Sequence, residues 1–298
     1  MMFGTGVVIV LAFIVIIALF FIFSAMTPMF VGKCVAVVDI NQELAVDGVS
    51  PSLFDSGTPG SEQIASSISA LDARDDVGAV LIVFNSPGGS VVATREIYSS
   101  VKELKKPKVS YFRETAASGA YYIATGTDYI ISDPDAITGS IGVIATFTEM
   151  SGLLEKLGVN ITAIKSGPHK DIGSPYRNMT GEENVILQAM IDEIYQEFRG
   201  VVIANRGQRL NTAQFNEVSD GRILSGRQAL KAGLVDQVGS KKDALMKAAQ
   251  LGGIEANNPS DVRVCPIQIS SAEGGLFSAE GFVRSFESAA SGIKISFN

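Results

Sequence analysis

Residues 78–85, Gly-Ala-Val-Leu-Ile-Val-Phe-Asn, form an apolar run too short for an ordinary helix and too unbroken for a strand with one wet face. A strand of that kind is buried on both sides, as in a parallel sheet covered by helices. The stretches around it fit this reading. Residues 34–40, 108–112 and 129–132 read as further strands, 61–73 and 90–105 carry helical spacing between them, and 138–143 continue the series. Strand alternating with helix predicts an α/β architecture with right-handed crossovers. Another strand is expected at 160–165, stopped by Gly167 and Pro168, which leave Lys170 on a loop. Thr180 with Glu183, and Ser225 with Gln228, have the pattern of a capping box at a helix start. Residues 48–60, rich in Gly, Ser and Pro, read as a mobile loop.

Ahead of this alternation the first 32 residues carry no charged side chain, and residues 7–23 are continuously apolar. Extended to Met26, the run has about 20 residues, enough at 1.5 Å per residue to cross a bilayer core of ~30 Å. Residues 1–6 lack Lys and Arg and residues 23–25 make a poor cleavage site, so the segment reads as an uncleaved anchor rather than a signal peptide. The expected division is an anchor at 1–32, one domain at 33–270, and a tail at 271–298 that is flexible or ordered by assembly. Lys33 is the first basic residue, and charge alone sets no orientation across the membrane. A formal net charge of −7 without a stripe of Lys and Arg argues against a nucleic-acid partner. Cys34 and Cys265 make no disulfide framework, and with a single histidine they supply no usual zinc site.

Ser118 lies in Thr-Ala-Ala-Ser-Gly-Ala-Tyr-Tyr-Ile-Ala, residues 115–124, a small-residue elbow opening a helix. Such an elbow exposes a nucleophile, and its hydroxyl needs a base to take the proton. The candidates are His169, the one histidine of the chain, and its neighbour Lys170. A histidine needs a carboxylate to orient its ring, and Asp171 is too near in sequence to do this easily. Lys170 suits the role if desolvated, because an ordinary lysine titrates near ~10.4 and burial lowers that by several units. The Asp171 carboxylate opposes this change, so it should point away from the site. Donors for an oxyanion would come from the loop Asn-Ser-Pro-Gly-Gly-Ser, residues 85–90, where backbone can approach a ligand closely.

Linked motifs carry a family resemblance: Asn-Ser-Pro-Gly-Gly at 85–89, Ala-Ala-Ser-Gly-Ala-Tyr-Tyr-Ile-Ala at 116–124, Thr-Gly-Ser-Ile-Gly-Val at 138–143, His-Lys-Asp-Ile-Gly-Ser-Pro at 169–175, and the run 221–236. Over residues 34–250 the chain resembles bacterial and archaeal signal peptide peptidase A in its short, single-repeat form. The resemblance implies a Clp-protease/crotonase-like fold of repeated ββα units behind one N-terminal transmembrane helix. It implies a serine endopeptidase with Ser118 as nucleophile and Lys170 as general base, which removes the claim of His169. Gly88 and Gly119 would supply the N–H groups of the oxyanion hole, and Ser140 would hydrogen-bond and steer the lysine amine. No cofactor or metal is implied. Substrates would be signal-peptide remnants and other apolar or unfolded segments, bound extended along a strand edge. Copies of the chain would form a ring, an octamer, in which neighbouring subunits share each dyad. The protein would be single-pass in the cell membrane with its catalytic domain outside the cytoplasm.

Other readings compete. A stomatin-directed membrane Ser–Lys protease shares the glycine loop and elbow, but not the 221–236 motif. A crotonase-like acyl-CoA enzyme or binder would turn the paired N–H groups on a thioester enolate and need neither Ser118 nor Lys170; a catalytically silent scaffold would need no chemistry at all. The sequons at Asn160 and Asn178 read as chance, Asn160 opening an expected buried strand.

Overall fold

The computed structural model describes residues 32–50 and 57–269. The expected anchor up to residue 31, part of the 48–60 loop and the 271–298 tail lie outside the described residues. Among the described residues no helix is long and apolar enough to cross a membrane. The described residues from Cys34 onward make one compact unit.

In chain order the elements are β1 (Cys34–Ile40), α1 (Ser61–Ser69, continued by a 3-10 turn at Ala70–Ala73), β2 (Val77–Ser86), α2 (Val91–Glu103), β3 (Lys108–Ala117), α3 (Gly119–Ala124), β4 (Tyr129–Ser132) and β5 (Ile137–Gly139). There follow α4 (Ser151–Lys156), α5 (Gly181–Arg206), α6 (Thr212–Val218), β6 (Ile223–Ser225), α7 (Gly226–Ala232), β7 (Gln237–Val238), α8 (Lys241–Leu251) and β8 (Val264–Ile267). The sheet runs β6-β5-β3-β2-β1-β8, with β4 beside β3 and β7 beside β4. Its pairings are parallel except β5 with β6. Strand β3 changes partner along its length: residues 109–112 pair with β4, residues 115–117 with β5.

The apolar run in β2 is buried on both faces, as its composition requires. Val80, Ile82 and Phe84 join one apolar cluster with Ile64, Ile97 and Ile123 of α1, α2 and α3, while Ala79, Leu81 and Val83 meet Ala244, Ala248 and Ala249 of α8. Each fully buried Val, Leu or Ile contributes about 1.5–3 kcal/mol. The expected capping boxes are present: Thr180 Oγ1 accepts from Glu183 N and Glu183 Oε2 from Thr180 N, and Ser225 pairs likewise with Gln228. The far end of α5 is fixed by Arg206, a buried guanidinium that donates to both oxygens of Asp236, at 2.9 and 2.8 Å, and to the carbonyl of Gly233. Part of the 221–236 motif therefore anchors a helix.

Two expectations need correction. Residues 160–165 form no strand; Ile161 is 48% and Ile164 100% exposed, because this backbone finds no partner strand among the described residues. Asn160 is exposed with them. Cys34 and Cys265 form a disulfide across 231 residues of sequence. Parallel pairing of β1 with β8, in which Ala36 faces Cys265, brings their Cα atoms to 5.9 Å.

Candidate active site

Ser118 sits where β3 passes into α3, with φ 53° and ψ −121°. A non-glycine residue in the left-handed region costs about 1–3 kcal/mol and persists where its surroundings hold it. Here its N–H donates to the carbonyl of Gly139 at 2.9 Å, and its carbonyl accepts from Tyr122 N at 3.0 Å. Ala117 of β3 pairs with Gly139 of β5, so Ser118 and Ser140 leave adjacent strands at matching positions. Ser140 also has positive φ, 50°, and its N–H donates to the carbonyl of Arg222.

The glycine loop reaches this elbow from β2. Leu44 holds it on one side: Leu44 N donates to Gly88 O and Ser90 N to Leu44 O, both at 2.8 Å. Gly88 has φ 98°, and a Cβ there would lie 2.7 Å from Gly119 N and 2.9 Å from Ser118 Cβ. Glycine alone fits this approach. The Gly88 N–H donates to Ser86 Oγ at 3.2 Å, whereas Gly89, Ser118 and Gly119 line a cavity of about 120 Å3. Val91, Tyr122, Val143, Ile194 and Phe198 supply apolar wall. Arg95 and Glu197 add a half-exposed ion pair, and Tyr122 Oη donates to Glu197 Oε1 at 3.3 Å. Burial pushes the Tyr122 phenol above its usual titration range.

One chain thus gathers Ser118, Gly119, Gly88 and Ser140. It does not bring Lys170 to them: Lys170 is exposed on the turn after Gly167 and is absent from the cavity wall. Asp171 beside it, expected to turn from the site, has its carboxylate engaged by Arg177 and Lys165. His169 lies 3.7 Å from Glu182 and 3.9 Å from Glu183, and its buried Nδ1 has no hydrogen-bond partner. The sequence did not single out Arg177, Arg95 or Glu197. Their signal was charge alone, which is common on any surface. Cys34, Asp76 and Cys265 lie close enough to share a metal ion, and the disulfide occupies both sulfurs.

The profile described as Peptidase family S49 matches residues 100–255, which hold both Ser118 and Lys170, and that described as Clp protease matches residues 56–131. A protein named as a protease from Methanocaldococcus jannaschii is 45% identical over 64% of this chain and 61% of its own length. One named as signal peptide peptidase SppA from Enterococcus faecium is 38% identical over 72% of this chain and 62% of its own. The chain therefore spans less than two thirds of these relatives. Among solved structures, a mutant of the 1510-N membrane-bound stomatin-specific protease aligns with a TM-score of 0.50 at 18% identity, covering 80% of this chain and 99% of the other. That likeness is one of fold, and with the Clp protease match it makes the α/β fold Clp-protease-like.

Proposed function

The chain belongs to peptidase family S49, and on that premise we propose that it is a serine endopeptidase in which Ser118 attacks and Lys170 serves as base. The carrying observation is the strained Ser118 elbow, set between a glycine loop and an apolar cavity. As Ser118 Oγ adds to the substrate carbonyl, its proton passes to the neutral amine of Lys170. The oxyanion takes N–H donors from Gly119 and the glycine loop. Gly88 serves there by exchanging Ser86 Oγ for the oxyanion. The ammonium then protonates the leaving nitrogen, and the amine, steered by Ser140, activates the water that hydrolyses the ester.

The position of Lys170 outside the cavity supports a base supplied by a neighbouring copy. The segment that bears it exposes Ile144 (87%), Leu157 (67%) and Ile164 (100%), an apolar surface suited to a second subunit. A ring of such copies, an octamer by family resemblance, would complete every dyad. Substrates would be apolar or unfolded segments, signal-peptide remnants among them, with a side chain in the apolar cavity. An anchor within 1–32 would hold the ring at the membrane. The Cys34–Cys265 disulfide supports a catalytic domain on the oxidising side, outside the cytoplasm.

The test is fluorophosphonate labelling of assembled protein, with the adduct mapped by mass. Labelling at Ser118 that is lost in Lys170→Ala bears out the dyad. No adduct in assembled wild type sinks it and favours the acyl-CoA or scaffold reading, while preference for a stomatin C-terminal peptide over a signal-peptide remnant moves the substrate assignment alone.

A further inference from the structure

Arg177 divides its guanidinium between the segment around Lys170 and the start of α5. Nε and Nη2 donate to the two carboxylate oxygens of Asp171, at 2.9 and 2.7 Å, while Nη1 and Nη2 donate to the two oxygens of Glu183, at 2.8 and 2.5 Å. Nη1 also donates to the carbonyl of Asn178 at 3.0 Å, so every donor of the fork is used. Glu183 is buried and belongs to the capping box that starts α5. Asp171 accepts in addition from Lys165 Nζ at 2.6 Å, and that ammonium donates to the carbonyl of Pro168 at 2.9 Å. The turn bearing Lys170 is in this way fastened to the first turn of a 26-residue helix.

We propose that Arg177 is a positioning residue for the Lys170 base: it fixes the turn on α5 and engages the Asp171 carboxylate, which would otherwise favour the charged form of the neighbouring amine. The inference rests on the reading of Lys170 as base. Asp171 faces Lys165 and Arg177, and Glu183 faces Arg177 and His169, which also lies beside Glu182. Arg177, and then Lys165, hold the Asp171 carboxyl well below the usual range, so its charge is present throughout any assay. Neutralisation by the fork and Lys165, not protonation, is what removes its influence. A lysine could not do the same, because one ammonium does not bind two carboxylates in parallel pairs.

The experiment is the pH profile of kcat/KM for the full-length assembled protein on an apolar reporter peptide. Arg177→Gln removes the fork and leaves the Asp171 carboxylate to Lys165 alone, and the acid limb moves up by about one pH unit, an about tenfold loss of rate on that side. KM stays within about twofold, since Arg177 does not line the cavity. Asp171→Asn combined with Arg177→Gln removes the released charge and returns the limb to its wild-type position. A limb unmoved in Arg177→Gln, or still displaced in the double variant, overturns the proposal. If Arg177→Gln fails to assemble, Arg177→Lys decides: kcat falls with a smaller displacement, and a wild-type kcat overturns the proposal. Full activity in Lys170→Ala would instead remove the base assignment itself, an outcome read independently of any Arg177 variant.

Discussion

The backbone N–H of Ser118 donates to the carbonyl of Gly139 at 2.9 Å, tying the elbow to the strand whose next residue is Ser140. Both serines leave their strands at positive φ, 53° and 50°. The elbow is thus set by sheet register: moving β5 against β3 would displace Ser140 relative to Ser118 and break the bond from Ser118 N to Gly139 O.

Gly88→Ala should lower turnover by ~10²–10³-fold, the scale of losing one oxyanion donor. The added methyl would meet Gly119 N and Ser118 Cβ at 2.7 and 2.9 Å, in a backbone conformation that L side chains rarely adopt. The accompanying strain costs about 1–3 kcal/mol. Peptide turnover and thermal unfolding on one sample check both; a rate near wild type would remove this loop from the oxyanion hole.

Ser118→Ala and Lys170→Ala should each be inactive, yet co-expressed in equal amounts they should regain activity. In a ring with random order, about a quarter of the sites then pair an intact serine with an intact neighbouring lysine. Activity of co-purified mixed assemblies is the measurement, and no recovery would mean the dyad is completed within one chain.

Reduction of Cys34–Cys265, or Cys265→Ser, should cost about 2–4 kcal/mol, the usual effect of opening a long covalent loop. Denaturant midpoints with and without reductant report it. Unchanged midpoints would mean that β8 contributes little to global stability.

The double burial of β2 and the Ser118 elbow were legible because neighbouring residues encode them. Capping boxes at Thr180 and Ser225 were legible for the same reason. The strand expected at 160–165 is absent because a short apolar stretch does not say whether a partner strand exists. The disulfide was invisible because the register of β1 on β8 is decided by packing, far from either cysteine in sequence. Asp171, Arg177 and Glu183 stand six residues apart, too far along a regular helix or strand to touch, and only the tight turn between them brings them into contact.

Acid should release the start of α5 late. Arg177, and then the Thr180 N–H, favour the Glu183 carboxylate and hold it at about 2, against ~4.3 in an unfolded chain. A lowered value means that the contribution is complete above ~4.3 and is lost as pH falls through about 2. Hydrogen exchange of amides 181–185 between pH 5 and 2 would follow that loss, and Glu183→Gln should abolish the dependence.

Cys34 opens β1 directly after Lys33, and its sulfur is bonded to Cys265 in β8. Tension arriving through the N-terminal segment therefore meets a covalent junction at the first residue of the sheet. Load divides between two strands, so β1 cannot peel from β8 at that point while the bond is intact. Reduced protein pulled from the same point would unzip at lower force, and mechanical endurance would follow the redox state of one bond.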